Sequence, residues 1–184
     1  CSQATFKIKT HTAIFMPVIA WLIIGKRSAS LIKEANKIIA IKAGKVLYSK
    51  QSEFQKVEVF ETESALGRVL TLDDLMMTTE GDEFHYHEMI AHVPIMHHPN
   101  PKTVLVIGGG DGGTIREVLK HDTVEKAVLC EIDGLVIEAC KEHLPTIACE
   151  LDNPKCEILV EDAIEYIKDK VDMFDVVLID STDP

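Results

Sequence analysis

The chain is short of positive charge. Of its 184 residues, 19 are Lys or Arg and 30 are Asp or Glu, a net charge of −11. Phosphate binding needs clustered Lys and Arg, so nucleic acid is not expected as a partner. An acidic surface instead favours cationic partners and repels phosphate. The chain also lacks any C-x-x-C pair. Its five cysteines (Cys1, Cys130, Cys140, Cys149 and Cys156) are odd in number, which points to a reduced, cytoplasmic protein with structural thiols. No apolar run reaches the ~18 residues that a membrane-spanning helix takes. The strongest candidate, Ala13 to Gly25, is shorter and is interrupted by Pro17. Lys7 and Lys9 before it give it the look of an export signal, but no convincing small-x-small cleavage site follows. A buried segment or an N-terminal extension is expected there, and a membrane is not expected as a partner. Internal repeats and low-complexity runs are missing too. What is present, 46 % hydrophobic and 27 % charged residues, is a globular balance that excludes a disordered chain, a collagen and a coiled coil. The chain starts at Cys1 rather than Met, which reads as a processed or incomplete sequence.

Four regions are expected. Residues 1–44 form an atypical extension without readable chemistry. Residues 45–80 alternate in strand fashion through KVLYSK, EFQKVEVFET, GRVLTLDD and LMMTT, with turns at Ser52, Ser64, Gly67 and Asp73-Asp74. They predict a small antiparallel sheet of three or four strands, which must pack on something to be stable. Residues 81–101 predict a connecting helix capped by Asp82 and closed by Pro94 and the His97-His98-Pro99-Asn100-Pro101 stretch. From Lys102 onward strands and helices alternate. TVLVIG, KAVLCEID, CEILVED and FDVVLID are apolar runs of the kind buried on both faces of a parallel sheet. The expected architecture of 102–184 is therefore an open, doubly wound α/β sheet of four parallel strands.

The chemistry is concentrated at the ends of those strands. Gly108, Gly110 and Gly113 form G-x-G-x-x-G between a strand and a helix, a context that makes the pattern a ligand loop. Glu131 ends the second strand, where an acid accepts hydrogen bonds from ribose hydroxyls. Asp111, inside the glycine loop, weighs against a dinucleotide. It would face the pyrophosphate, and like charges at ~4 Å cost several kcal/mol in a partly desolvated site. Asp162 ends the third strand beside the small Ala163 and can accept from an adenine amino group, or else simply cap the next helix. Asp180 ends the fourth strand. Four carboxylates on one rim are costly unless cations occupy the site. A metal is the competing explanation, but acids from four separate strand ends suit one extended, positively charged ligand better, and no metal is expected.

Among the histidines, HEMIAH (His87 to His92) only imitates the zinc-protease H-E-x-x-H motif. A spacing of five turns the imidazoles about 140° apart on a helix, so they cannot share a metal. His85, His97 and His98 read as surface or linker residues.

The string GGGDGGTIREVLKH, followed in order by CEID, VEDA and DSTDP, resembles the spermidine synthases, the polyamine aminopropyltransferase family. The likeness extends through YSKQSEFQ, VFET, GRVLTLD, TTEGDEFHYHEMIAH and HPNPK, from Val46 to Pro184, about three quarters of the chain. It implies an S-adenosylmethionine-methyltransferase-like Rossmann sheet behind a small β domain that assembles subunits. It also implies aminopropyl transfer from decarboxylated S-adenosylmethionine to putrescine, giving spermidine and methylthioadenosine. The donor is a co-substrate, and no further cofactor is implied. By the same resemblance Gln55, Gly108, Gly110, Glu131, Asp162 and Ala163 hold the nucleoside, with Glu131 on the ribose and Asp162 and Ala163 at the adenine. Asp111 binds the amine of the aminopropyl tail. Tyr86, His87 and Asp183 position the acceptor amine, and Asp180 is the catalytic base. A cytoplasmic homodimer or homotetramer is implied as well.

The family continues past DSTDP, whereas this sequence ends at Pro184. The resemblance thus implies missing strands, a missing lid over the site and an apolar edge at FDVVLID. Two alternatives stay open: an S-adenosylmethionine-dependent methyltransferase on the same sheet, and a non-catalytic binding or assembly module.

Overall fold

The computed structural model describes residues 43–181. The apolar segment 13–25 and Asp183 lie outside the described residues. Four strands, β1 (Ala43–Gln51), β2 (Lys56–Thr62), β3 (Arg68–Leu72) and β4 (Leu75–Thr79), form an antiparallel sheet in sequence order. Alternation sets its inner face: Val57 and Val59 are fully buried, and the residues on either side of them are half-buried. Asp73 and Asp74 both have positive φ, as the two-residue turn between β3 and β4 demands.

Helix α1 (Phe84–His97) follows. Here the structure corrects two expectations. Asp82 is not the cap: Glu83 precedes the first helical residue and makes no side-chain cap bond. The Asp82 carboxylate instead accepts the Thr79 hydroxyl at 2.6 Å. Pro94 does not end the helix either, but lies inside it. Proline removes one backbone donor. The buried residues Ile90, Ala91 and Ile95 around it supply the packing that carries the helix past that loss.

The second sheet contains β5 (Thr103–Gly108), β6 (Lys126–Glu131), β7 (Cys156–Val160) and β8 (Val176–Asp180). All pairs are parallel and the order is β7-β6-β5-β8. Helices α2 (Gly113–Leu119), α3 (Gly134–His143) and α4 (Ala163–Ile167) fill the crossovers. The two central strands, β5 and β6, are buried on both faces as their apolar runs require, while β7 and β8 at the edges are only partly covered. Val104 and Val106 join the large core with α2, α3 and the inner face of the antiparallel sheet, while Leu105, Val128 and Cys130 face a smaller cluster under α4. Cys130 and Cys140 are buried free thiols.

Strand order decides where a ligand can sit. The chain runs outward from β5 through β6 to β7, then returns to the other side of β5 as β8. Such a reversal opens a crevice at the carboxyl ends of β5 and β8. Gly108 is the register partner of Asp180 across that point.

Candidate active site

The glycine loop brings β5 into the crevice and leaves room for its neighbours. Gly109 has φ +70, and a side chain there would meet the Asp180 carboxylate, with Cβ 2.7 Å from Oδ2. The loop thus lets Asp180, Asp111 and His87 approach one another. One ligand-type atom from each lies within 4.8 Å of the others. This is the one place among the described residues where three such groups could surround a cation.

Each is held in place by named partners. Asp180 Oδ1 accepts the Tyr86 hydroxyl at 2.8 Å, and Oδ2 accepts the Thr114 hydroxyl at 2.6 Å. Asp111 Oδ1 accepts the Gly113 backbone N–H at 2.8 Å, and Oδ2 lies 3.4 Å from His87 Nε2. His87 Nδ1 pairs with Glu83, the residue just before α1. Arg116 of α2 donates through one nitrogen to both Glu83 oxygens, at 2.9 and 2.8 Å. The result is a chain of alternating charge, Arg116–Glu83–His87–Asp111, ending beside Asp180.

The electrostatics follow from burial and these partners. Burial alone would lower the His87 imidazole, but Asp111, Glu83 and Asp180 outweigh it and push it up to about 10. His87 is therefore a cation at neutral pH. Burial works against the Asp111 charge too, yet His87 and the Gly113 N–H hold that carboxyl below its usual range. Asp180 goes the other way: burial, then the negative charge of Asp111, raise it. Two neighbouring acids thus take different roles, one a fixed anion and one a carboxylate of raised basicity.

Glu131 lies one strand away, at the end of β6. Its Oε2 accepts the Gly110 N–H at 3.1 Å and its Oε1 the Asp133 N–H at 2.9 Å. Burial raises its pKa, with those N–H groups offsetting part of the effect. Gln55, from the turn between β1 and β2, donates to Asp133 Oδ2 at 3.1 Å, where Ser52 also donates at 2.8 Å. Asp133 Oδ1 caps α3 through the Leu135 N–H. One aspartate therefore ties the antiparallel sheet to the start of α3. An open pocket of about 330 Å³ lies here, lined by Ser52, Phe54, Ile132, Leu135 and Val160 among others. Beyond it Asp162 is exposed and caps α4 through the Ile164 N–H at 2.8 Å, and Ala163 is half-buried.

The expected residues do not form one cluster. They form a row along the rim, from Asp162 and Ala163 at β7, past Glu131 and Gln55 at β6, to Gly108, Gly110 and Asp111 after β5 and Asp180 at β8. Three strand spacings separate its ends, roughly 14 Å. That length suits one elongated ligand, with a flat apolar part at the pocket and a cationic part at Asp111 and Asp180. HEMIAH splits as its spacing requires: His87 enters the site, while His92 pairs with Glu117 and His121. His85 and His97 are exposed and His98 is half-buried.

Sequence reading missed Glu83, Arg116, Thr114 and Asp133. A signal existed for two of them. Glu83 stands four residues before His87, which places both on one helix face, and Asp133 precedes an apolar helical run as a cap does.

Comparisons with known proteins bear on this arrangement. Residues 83–184 match the spermine/spermidine synthase domain, and residues 31–80 match the spermidine synthase tetramerisation domain. The polyamine aminopropyltransferase of Thermotoga neapolitana is 57 % identical over 144 residues, covering 78 % of this chain and 48 % of that protein. That of Clostridium kluyveri is 54 % identical over 143 residues, covering 78 % of this chain and 52 % of that protein. A crystal structure of spermidine synthase in complex with the transition-state analogue AdoDATO superposes with a TM-score of 0.78 at 56 % identity, over 81 % of this chain and 50 % of that one. The chain spans about half the length of the curated relatives it matches. Matched over more than half its length by the family's main domain, and sharing the fold of a solved member, the chain belongs to the spermine/spermidine synthase family.

Proposed function

We propose that the chain carries the donor site and catalytic base of an aminopropyltransferase that moves the aminopropyl group of decarboxylated S-adenosylmethionine onto putrescine, giving spermidine and methylthioadenosine. The observation that carries this reading is the pair Asp111 and Asp180 beside the glycine loop, one a fixed anion and the other a carboxylate of raised basicity. Relatives named polyamine aminopropyltransferase and a relative's complex with AdoDATO support it.

The row of residues supports a reading of the parts. The adenine lies in the pocket by Ile132, near Asp162 and Ala163. The ribose hydroxyls meet Glu131, and Gln55 closes over the nucleoside. Gly108 and Gly110 allow the backbone to approach the sulfonium. Asp111 takes the ammonium of the aminopropyl tail and disfavours a donor that still has its carboxylate. Tyr86 and His87, with Asp183, position the acceptor.

The chemistry then needs one proton transfer. A sulfonium is already a good leaving group, but an alkyl amine is protonated at neutral pH. Asp180 accepts that proton and exposes the nitrogen lone pair. The nitrogen attacks the carbon bound to sulfur, the C–S bond breaks, and its electron pair stays on sulfur as neutral methylthioadenosine. Anchoring the distant ammonium of the diamine aligns nitrogen, carbon and sulfur. No resident cofactor takes part.

The match to a tetramerisation domain supports assembly of identical subunits through the antiparallel sheet, as a dimer or a tetramer. Among the described residues no helix is long and apolar enough to cross a membrane. The free thiols of Cys130, Cys140, Cys149 and Cys156 support a cytoplasmic location.

The test is product detection. The purified full chain is incubated with putrescine and either decarboxylated S-adenosylmethionine or S-adenosylmethionine, and products are identified by mass spectrometry. Spermidine and methylthioadenosine from the decarboxylated donor alone are expected. A methylated amine from S-adenosylmethionine would replace this reading with a methyltransferase, and no product from folded protein would leave a binding or assembly module.

A further inference from the structure

We propose that Thr114 is a positioning residue for Asp180: its hydroxyl, with that of Tyr86, locks the plane of the catalytic carboxylate toward the acceptor amine. The proposal rests on the functional reading above and assigns a role to a residue outside the nucleoside and acceptor contacts.

The geometry is specific. Thr114 is the second residue of α2, directly after the glycine loop, and is fully buried. Water therefore cannot stand in for its hydroxyl. Its Oγ1 donates to Asp180 Oδ2 at 2.6 Å, while Tyr86 on α1 donates to Oδ1 at 2.8 Å. One donor would leave the carboxylate free to turn about its Cβ–Cγ bond. Two donors, on two oxygens and from two different helices, fix it. Only then does the remaining acceptor capacity of each oxygen point in a constant direction. A base must sit within hydrogen-bond reach of the proton it removes, so orientation decides its efficiency.

The groups that face Asp180 set the expected sign. Asp111 opposes its charge from the glycine loop, and His87, backed by Glu83 and Arg116, favours it from α1. Tyr86 and Thr114 stabilise the ionised form as donors. Removing the Thr114 hydroxyl removes one stabiliser of the anion and leaves Asp111 in place. The carboxyl becomes harder to ionise.

Thr114→Val deletes the hydroxyl at nearly constant shape. The acidic limb of the kcat/KM profile should move up by about 1–2 pH units, the shift matching loss of a hydrogen bond to a charged group. At neutral pH kcat should fall about tenfold or more, with KM for the nucleoside donor unchanged. Thr114→Ser should restore both. Thr114→Ala serves as a second deletion if the valine strains the fold. The same shift should appear without turnover, as a higher titration midpoint of the Asp180 side-chain carbon in NMR of selectively 13C-labelled protein. A shifted titration in a protein that makes no aminopropyl product would refute the enzymatic reading and keep the positioning contact. A titration and pH profile unchanged in both Thr114→Val and Thr114→Ala would overturn the proposal.

Discussion

Gly113 lies against the ring of His87: a Cβ on Gly113 would sit 2.3 Å from both Cε1 and Nδ1 of the imidazole. The ring cannot withdraw, because Glu83 holds one nitrogen and Asp111 faces the other. The first residue of α2 is therefore glycine for reasons of space. Gly113→Ala should destabilise the protein by about 1–3 kcal/mol, the usual cost of overpacking. Urea unfolding measures the loss, and the His87 imidazole resonances should move with it. An alanine variant of wild-type stability would show that the ring has room to yield.

The same histidine makes stability depend on pH. Its pKa is raised from 6.5 to about 10 in the folded state. Its stabilising contribution is thus complete below about 6.5, where folded and unfolded chains both carry the proton. Above that the folded state holds a proton that the unfolded chain has lost, so the contribution declines and is gone once pH passes about 10. Denaturant melts from pH 6 to pH 10 should show wild type losing stability relative to His87→Gln as pH rises. A constant difference between the two would contradict the imidazolium.

Asp180→Asn keeps the shape of the side chain and removes its basicity. The variant should fold, since the contacts with Tyr86 and Thr114 can be remade by an amide. Turnover should fall roughly 10²–10⁴-fold, the usual contribution of a positioned base. Steady-state kinetics beside circular dichroism separates the two effects. Wild-type turnover in the folded variant would remove Asp180 from the chemistry.

Glu131 is held by two backbone N–H groups, those of Gly110 and Asp133. Glu131→Gln would turn an NH2 toward one of these donors and leave a buried N–H without its acceptor. Methylthioadenosine affinity should weaken about 10–100-fold, as expected for one lost hydrogen bond to a charged group. Titration calorimetry reads this directly. Unaltered affinity would place the ribose elsewhere.

The Arg116–Glu83 pair supports the site from behind. Arg116→Met would leave the Glu83 carboxylate buried with His87 as its one remaining charged partner. The His87 imidazole should then bind its proton more tightly and titrate at still higher pH, because Glu83 is no longer shared. Nitrogen-15 NMR of the ring across alkaline pH checks the direction, and a fall in its pKa would refute the shared-anion picture.

Much of this protein was legible along the chain. Apolar runs of strand length marked β5 to β8, and period-two alternation marked β1 to β4, because burial on two faces or one leaves a local signature. The glycine string and the acids at strand ends were legible for the same reason: a rim residue ends its strand or follows it within a few positions. Local signals failed where a choice depended on a distant partner. Asp82 had the chemistry of a cap, yet Thr79 claimed it. Pro94 had the chemistry of a stop, yet core packing carried the helix past it.

The tertiary structure alone decided which acids meet. Thr114 reaches Asp180 across 66 positions of sequence, Gln55 reaches Asp133 across 78, and Arg116 reaches Glu83 across 33. Those pairings exist because β8 returns beside β5, because α3 packs on the antiparallel sheet and because α1 packs on α2. Residue order determined the elements and the ligand chemistry available at their ends. Strand order and helix packing determined the direction in which His87, Asp111 and Asp180 are shifted, since ionisation is set by the charges and donors within a few ångströms of a group.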